Sequence, residues 1–183
     1  MSSWGASTSN ESKPRFLTDA EKRDCYADNT GWTVPAGGNG NASADRETLV
    51  TIGDLSGATK LAAGTISSTR FITTSLGAAA GGTFSVEVIY NEKVDVTGTP
   101  LLTVTNETDA ARNVECEYAS GTGTNRLTFT KVVAGGATTV ADVLAVQADA
   151  VTAAGTIKDA GTTVDSARTH SAQGATTKIT VAA

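Results

Sequence analysis

The chain is poor in the residues that build metal centres and acid–base sites. Its 183 residues include one methionine, two cysteines and a single histidine, His170. One imidazole cannot supply a metal centre made of several histidines. No serine or cysteine nucleophile with a recognisable elbow sequence accompanies His170. The sequence therefore predicts no catalytic residue, no cofactor and no metal centre, and we expect the protein not to be an enzyme.

Clustered positive charge and long apolar runs are also lacking. The 14 basic residues are scattered and are outnumbered by 19 acidic ones, which gives a net charge of −5. A nucleic-acid surface needs grouped lysine and arginine, so we expect no nucleic-acid partner. No segment approaches the ~20 consecutive apolar residues of a membrane helix, so we expect no membrane partner. Residues 1–10 lack the basic start and apolar run of a signal peptide, which predicts a protein that stays in a cytoplasm or in particles assembled there.

Two small sets of residues each allow a second interpretation, one a disulfide and the other a calcium site. Cys25 and Cys116 lie far apart in sequence, and a disulfide between them is possible, but a reducing cytoplasm favours two free thiols. Asp95, Asp159 and Asp165 could together bind a calcium ion between loops, because hard cations favour clustered carboxylates. No EF-hand-like spacing supports that calcium site.

Threonine, alanine and glycine are abundant, and from residue 65 onward they form short alternating segments. The segment 83–90 places Phe84, Val86, Val88 and Tyr90 on one face, as a half-buried strand requires. The segments 113–119 and 126–132 alternate in the same way. The glycine-rich stretch between them predicts a turn, so we expect these two strands to form a hairpin.

Further strands are predicted over 64–75, 101–105, 143–148, 150–157 and 177–181. Some seven short strands at regular spacing, with no helical pattern between them, favour an antiparallel sandwich. The predicted fold class is therefore all-β, with an immunoglobulin-like antiparallel β-sandwich over residues 61–183.

Residues 1–60 have a different composition, dominated by serine, asparagine, glycine and charged residues. Thr18 and Glu21 have the spacing of a capping box, which predicts one short helix, and Gly31 is expected to stop it. The rest has too little apolar surface to offset its ordering entropy. The sequence thus predicts an extended N-terminal arm with one short helix over residues 1–60.

Apolar side chains nevertheless occur at intervals along this polar arm: Trp4, Phe16, Leu17, Tyr26 and Trp32. Large aromatic residues spaced in this way are typical of anchors that fill pockets on a partner. These five residues are our candidate partner-binding residues. The alternative is that they pack onto the chain's own sandwich.

The C-terminal part resembles a bacterial immunoglobulin-like repeat of the SwmB type, found in large surface adhesins. The resemblance is carried by residues 90–101 (YNEKVDVTGTPL), by 117–124 (EYASGTGT) together with 127–129 (LTF), and by 155–161 (GTIKDAG). It covers about residues 65–183. It implies the sandwich fold and says little about function.

The N-terminal part resembles the start of virion structural proteins of tailed phages, notably T4-like phages of marine cyanobacteria. The matching segments are residues 3–5 (SWG), 12–18 (SKPRFLT), 31–32 (GW) and 47–50 (ETLV). The resemblance implies a virion protein, most simply a capsid decoration or cement protein anchored by its arm. Its partners would be the major capsid protein and copies of itself. The alternatives are a neck or tail protein, and a glycan-binding or adhesive module with weak glycan contacts on the particle surface.

Overall fold

The computed structural model describes residues 13–37, 43, 45–56, 61, 63–152, 154–169 and 178–183. Within these residues the secondary structure is almost entirely β, with one short α-helix and one 3₁₀ turn (Ala110–Arg112), so the predicted all-β, sandwich-like class is confirmed. The helix is α1 (Asp19–Asp24). The strands are β1 (Tyr26–Asp28), β2 (Gly31–Val34), β3 (Glu47–Thr51), β4 (Ile66–Phe71), β5 (Gly82–Gly98), β6 (Leu101–Asn106), β7 (Val114–Ser120), β8 (Thr124–Val133), β9 (Val143–Val151), β10 (Gly155–Asp159) and β11 (Ile179–Thr180).

Strand β5 organises the sheet because it is long enough to pair with different neighbours along its length. Its first half lies between β4 and β8, and its second half pairs with β10, all antiparallel. Beyond β8 the order continues through β7, β6 and β9 to β11. The register of β5 against β8 shifts between Ile89 and Val94, and such irregularities bend a strand.

One large hydrophobic core lies inside the sandwich, by which we mean β4 to β11. The predicted inward face of β5 is confirmed, because Phe84, Val86, Val88 and Tyr90 are all fully buried. The predicted hairpin is β7–β8, with Tyr118 paired with Phe129. One predicted boundary was wrong: β9 continues to Val151, because its end still pairs with Leu102 of β6.

The described part of residues 1–60 contains one short helix and three paired strands, where the sequence predicted an extended arm with one short helix. Helix α1 begins as expected, since Thr18 accepts a hydrogen bond from the Glu21 amide and its own amide donates to the Glu21 carboxylate at 2.7 Å. The helix ends at Asp24 and does not run on towards Gly31. The chain turns extended at Cys25, whose fully buried side chain joins a small core there.

Strands β1 and β2 form a hairpin that the sequence reading missed. The Asp28 carboxylate closes its turn by accepting hydrogen bonds from the Thr30 amide at 2.8 Å and the Gly31 amide at 3.1 Å. Gly31 opens β2 at φ 139°, where a β-carbon would lie 1.9 Å from the Val50 carbonyl oxygen of β3. Gly31 is therefore required by the close approach of two strands and does not terminate a helix.

Helix α1 and strands β1 to β3 together form what we call the N-terminal unit. Its strands extend the sheet of the sandwich, because β1 pairs in parallel with β5 at Ala27 and Glu92. Arg126 of β8 holds the end of α1 through an ion pair with Asp24 at 2.7 Å. Lys13 adds a hydrogen bond to the Ser67 hydroxyl of β4 at 3.0 Å. The unit is thus attached to the sandwich along β4, β5 and β8.

Candidate functional site

Three of the five predicted anchor residues pack within their own chain. Trp32 is 2% exposed, Tyr26 is 6% exposed and Leu17 is 7% exposed. Phe16 is the one anchor in the described part that remains available, with 62% of its surface exposed. Trp4 lies outside the described residues. Leu17, Tyr26 and Trp32 thus pack within their own chain, as in the alternative expectation, although Leu17 and Trp32 join a small N-terminal core and not the core of the sandwich.

The physical reason is that the N-terminal unit has enough strands to enclose a core of its own. Its buried apolar residues form a cluster separate from the sandwich core: Leu17, Cys25, Ala27, Trp32, Val34 and Leu55. The Lys13 ammonium lies 5.8 Å from the centre of the Trp32 ring and covers it. Burial lowers the pKa of Lys13 to about 8. Tyr26 is covered similarly by the Lys93 ammonium, 5.9 Å from its ring centre.

Both cysteines are free and buried, in different cores. Burial raises the pKa of Cys25 to about 11 and that of Cys116 to about 12. The thiolate is the reactive form of cysteine, so neither side chain is a nucleophile near neutral pH.

The unusual chemistry of the molecule lies where the N-terminal unit meets the sandwich. Glu92, on the bent part of β5, is fully buried, and neither of its carboxylate oxygens has a hydrogen-bond partner among the described residues. Asp159, the last residue of β10, is 2% exposed, and its Oδ2 also lacks a partner there. Ser166 is 4% exposed with an unpartnered Oγ. We call these three residues the junction cluster.

Strand pairing brings the junction cluster together from distant parts of the sequence. Asp159 pairs with Val94, two residues beyond Glu92 on β5. The Ser166 amide donates to the Ile157 carbonyl of β10 at 2.9 Å. Gly64 lies against both side chains, because a β-carbon there would be 2.9 Å from Ser166 Oγ and 3.4 Å from Glu92 Cγ. Ser166 and Glu92 therefore face the same small space beside the Gly64 backbone.

The two carboxyl groups of the cluster are held in an environment that disfavours charge. Burial, together with the nearby charge of Asp159, raises the pKa of Glu92 to about 7. The pKa of Asp159 is also raised, chiefly by burial. No ion pair within the described residues involves either group. The two carboxyls therefore influence one another while lacking a basic partner.

A solvent-accessible cavity of about 270 Å³ adjoins the cluster. Its charged lining consists of Asp28 and Arg46 from the N-terminal unit and of Lys93 and Asp159 from the sandwich. Arg46 pairs with Asp28 at 3.2 Å. Asp159 belongs both to the cavity wall and to the junction cluster, so the cavity and the cluster adjoin at this residue.

The calcium alternative suggested by the sequence is not assembled as expected. Asp95 accepts a hydrogen bond from the Gly161 amide at 3.0 Å, and Asp165 is exposed, so only Asp159 faces the junction. No group of three or more histidine, cysteine, aspartate or glutamate side chains in the described part is placed to hold a metal. His170 lies outside the described residues.

The sequence reading missed Glu92 and Ser166 as notable residues. A signal for Glu92 existed, because it occupies an inward position in the alternation that runs from Phe84 to Val94. A carboxylate at such a position is unusual in a strand that is otherwise apolar on that face. Ser166 has no comparable signal, since its position depends on how the chain returns to β10 after Asp159.

No helix among the residues that the structure describes is long and apolar enough to cross a membrane. No protein family model, no curated protein and no solved structure matches this chain. The two resemblances noted in the sequence rest on short motifs.

Proposed function

We propose that this protein is a non-enzymatic structural component of a tailed-phage particle, where it decorates or cements the capsid. The observation that best supports this role is the exposure of Phe16. It exposes 62% of its surface, whereas the neighbouring Leu17 is buried in the N-terminal unit. A large aromatic side chain that is exposed in the free chain can become buried in a pocket of a partner, where aromatic residues contribute much of the binding energy.

The proposed anchoring segment is shorter than the arm expected from the sequence. Leu17 and Trp32 belong to the small core and Tyr26 is buried within its own chain, so the proposed contacts involve Phe16 and the preceding residues 1–12, which include Trp4. Each aromatic residue buried in a partner can contribute about 1.5–3 kcal/mol. Repetition of this weak contact over a symmetric shell would raise the overall avidity.

The proposed partners are the major capsid protein and neighbouring copies of this chain. The N-terminal unit would hold Phe16 at a fixed position, because α1 follows it directly and is tied to β8 through Asp24 and Arg126. The sandwich, with its separate core, would project away from the contact. In this proposal the N-terminal part of the chain binds the particle, and the C-terminal sandwich is the part that is displayed.

The test compares retention of three proteins on purified particles. The full chain is compared with a variant that lacks residues 1–12 and carries Phe16→Ser, and with a control, Val132→Ser, at a valine of β8 that is 75% exposed. We expect the first variant to unfold at nearly the same temperature as the full chain but to be lost from particles, while the control is retained. Equal retention of all three would refute the proposed anchor.

Copy number distinguishes the capsid from the rest of the particle. Quantitative mass spectrometry of purified particles should find hundreds of copies if the protein decorates the shell. About a dozen or fewer would place it at the neck or tail instead. Presence on particles combined with binding on a glycan array would favour the adhesive alternative, whereas absence from particles would overturn the virion role.

A further inference from the structure

We propose that the junction cluster of Glu92, Asp159 and Ser166 binds a hard divalent cation of the calcium class. The bound ion would hold β5, β10 and the segment after β10 together, beside the pairing of β5 with β1 of the N-terminal unit. This site is independent of the virion role, because it concerns how the chain holds its own strands together.

The first argument is the number of unpartnered oxygen atoms at one buried place. Both carboxylate oxygens of Glu92, Oδ2 of Asp159 and Oγ of Ser166 are buried and have no hydrogen-bond partner among the described residues. Buried polar atoms in folded proteins almost always have a partner. Nine buried side-chain polar atoms without a partner occur among the described residues, and four of them belong to these three neighbouring side chains, where one common ligand would satisfy them together.

The second argument concerns the charge and hardness of that ligand. Two buried carboxylates without a basic partner are costly unless a cation compensates them. Each of the four atoms is an oxygen, which is the donor that calcium prefers, and none is a nitrogen or sulfur that would favour a softer metal. A bidentate Glu92 with one oxygen each from Asp159 and Ser166 would leave further coordination positions for water.

Ser166 supports a coordinating ligand independently of the carboxylates. A neutral hydroxyl needs no counter-charge, yet it is 4% exposed and directed to the same space as Glu92, beside the Gly64 backbone. Protonation of the two carboxyls would neutralise their charge. It would not explain why the Ser166 hydroxyl oxygen is placed there without a partner in the described chain.

The surroundings of the junction cluster bear on how an ion would reach it and on which elements the ion would hold together. Asp159 also lines the cavity that opens to solvent, so an ion in that cavity would lie next to one residue of the cluster. Glu92 is the β5 residue that pairs with Ala27 of β1, so the cluster lies directly at the attachment of the N-terminal unit. An ion held by Glu92, Asp159 and Ser166 would join β5, β10 and the segment that follows β10.

The experiment uses the full chain after treatment with a chelator, at pH 8, where a Glu92 carboxyl with a pKa of about 7 is largely ionised. Calorimetric titration with CaCl₂ should show one ion bound per chain. Thermal unfolding should show a Tm raised by about 5 °C at a hundredfold excess of calcium over its Kd. Matching titrations with MgCl₂ and MnCl₂ define which hard cation the site prefers.

Variants test whether calcium binding depends on the junction cluster. Glu92→Gln and Ser166→Ala should abolish or weaken calcium binding, whereas Glu107→Gln, at a surface carboxylate paired with Lys178, should leave it unchanged. If Glu92→Gln does not fold, the direct titration of the unmodified chain still decides the question. The proposal is overturned if none of the three cations binds at unit stoichiometry or raises Tm, or if Glu107→Gln weakens binding as much as Glu92→Gln. A Tm that responds to pH but to no cation would instead indicate carboxyls that share a proton.

Discussion

Single side chains in the N-terminal unit contribute measurable amounts to the free energy of unfolding. Trp32 is 2% exposed and is the largest side chain of the small core there. We expect Trp32→Ala to lower the free energy of unfolding by about 3–5 kcal/mol, because it leaves a cavity that the unit cannot close. Denaturation in urea measures this change.

Phe16 provides the matched control for Trp32, since it is aromatic, lies in the same unit and is largely exposed. Phe16→Ala should change the free energy of unfolding by no more than about 0.5 kcal/mol. A similar loss in both variants would mean that the small core around Trp32 does not contribute as the structure indicates.

The stability of the sandwich depends on pH through the carboxyl group of Asp142. Its carboxylate accepts two hydrogen bonds from Arg112, at 2.8 and 2.9 Å, and a third from the Thr139 amide at 2.8 Å. These contacts, of which the Arg112 bonds are the strongest, hold the pKa of Asp142 well below its usual value. Its contribution is therefore complete above the unfolded-state pKa of about 4 and is lost as the pH falls further.

We expect Asp142→Asn to lower Tm at pH 7 and to reduce the loss of Tm between pH 5 and pH 2. Thermal unfolding across this range, with Glu117→Gln as a control at an exposed carboxylate of β7, measures the effect. If the curves of Asp142→Asn and the unmodified chain run parallel, Asp142 is not the group responsible.

At the scale of elements, the cap of α1 is a local device that the sequence determines. Thr18 is exposed, so its replacement removes the cap without disturbing a core. Thr18→Ala should lower the free energy of unfolding by about 1 kcal/mol, because it leaves amide groups of the first turn unpaired. Chemical denaturation should detect this loss, and Thr18→Ser should restore most of it. Equal losses for alanine and serine would argue against capping by the hydroxyl.

Strands in which buried and exposed residues alternate were predicted from the sequence. Strands β1 and β2, in which every residue is buried, were missed. Strands β5, β7 and β8 have one buried face and one more exposed face, so a period of two marks them. Strand β2 is buried at all four positions and β1 at all three, so neither shows that period. The turn of Asp28 with Gly31 was the available signal for this hairpin, because aspartate favours such turns.

At the scale of the whole molecule there are two separate cores, so we expect the two parts of the chain to behave differently when each is produced alone. The buried members of the large core are drawn from Leu76 to Val181, and the small core belongs to the N-terminal unit. We expect residues 61–183 alone to fold with a cooperative but lower thermal transition, because β5 loses its pairing with β1. This fragment should also fail to join particles, since it lacks the proposed anchor.

Calorimetry and circular dichroism of the fragment test its folding. The isolated segment 13–56 serves as the comparison and should remain unfolded, because its core is too small to offset the entropy of ordering. Loss of any cooperative transition from residues 61–183 would show that the sandwich needs the N-terminal unit to fold.

The sequence by itself determined the local features of this protein: the β class, the inward face of β5, the β7–β8 hairpin and the start of α1 at Thr18. These follow from side-chain periodicity and capping, which depend only on neighbouring residues. It also marked Asp159, a member of the junction cluster, as a candidate cation ligand, but grouped it with Asp95 and Asp165.

Only the tertiary structure decided that Trp32 packs inside its own chain and that Glu92 and Ser166 join Asp159. Each of these outcomes depends on which strands pair and in what register, and a single-residue change in register would turn the same side chains to the opposite face. Strand pairing is selected by burial summed over the whole chain, so residues far apart in sequence meet for reasons that no local pattern contains.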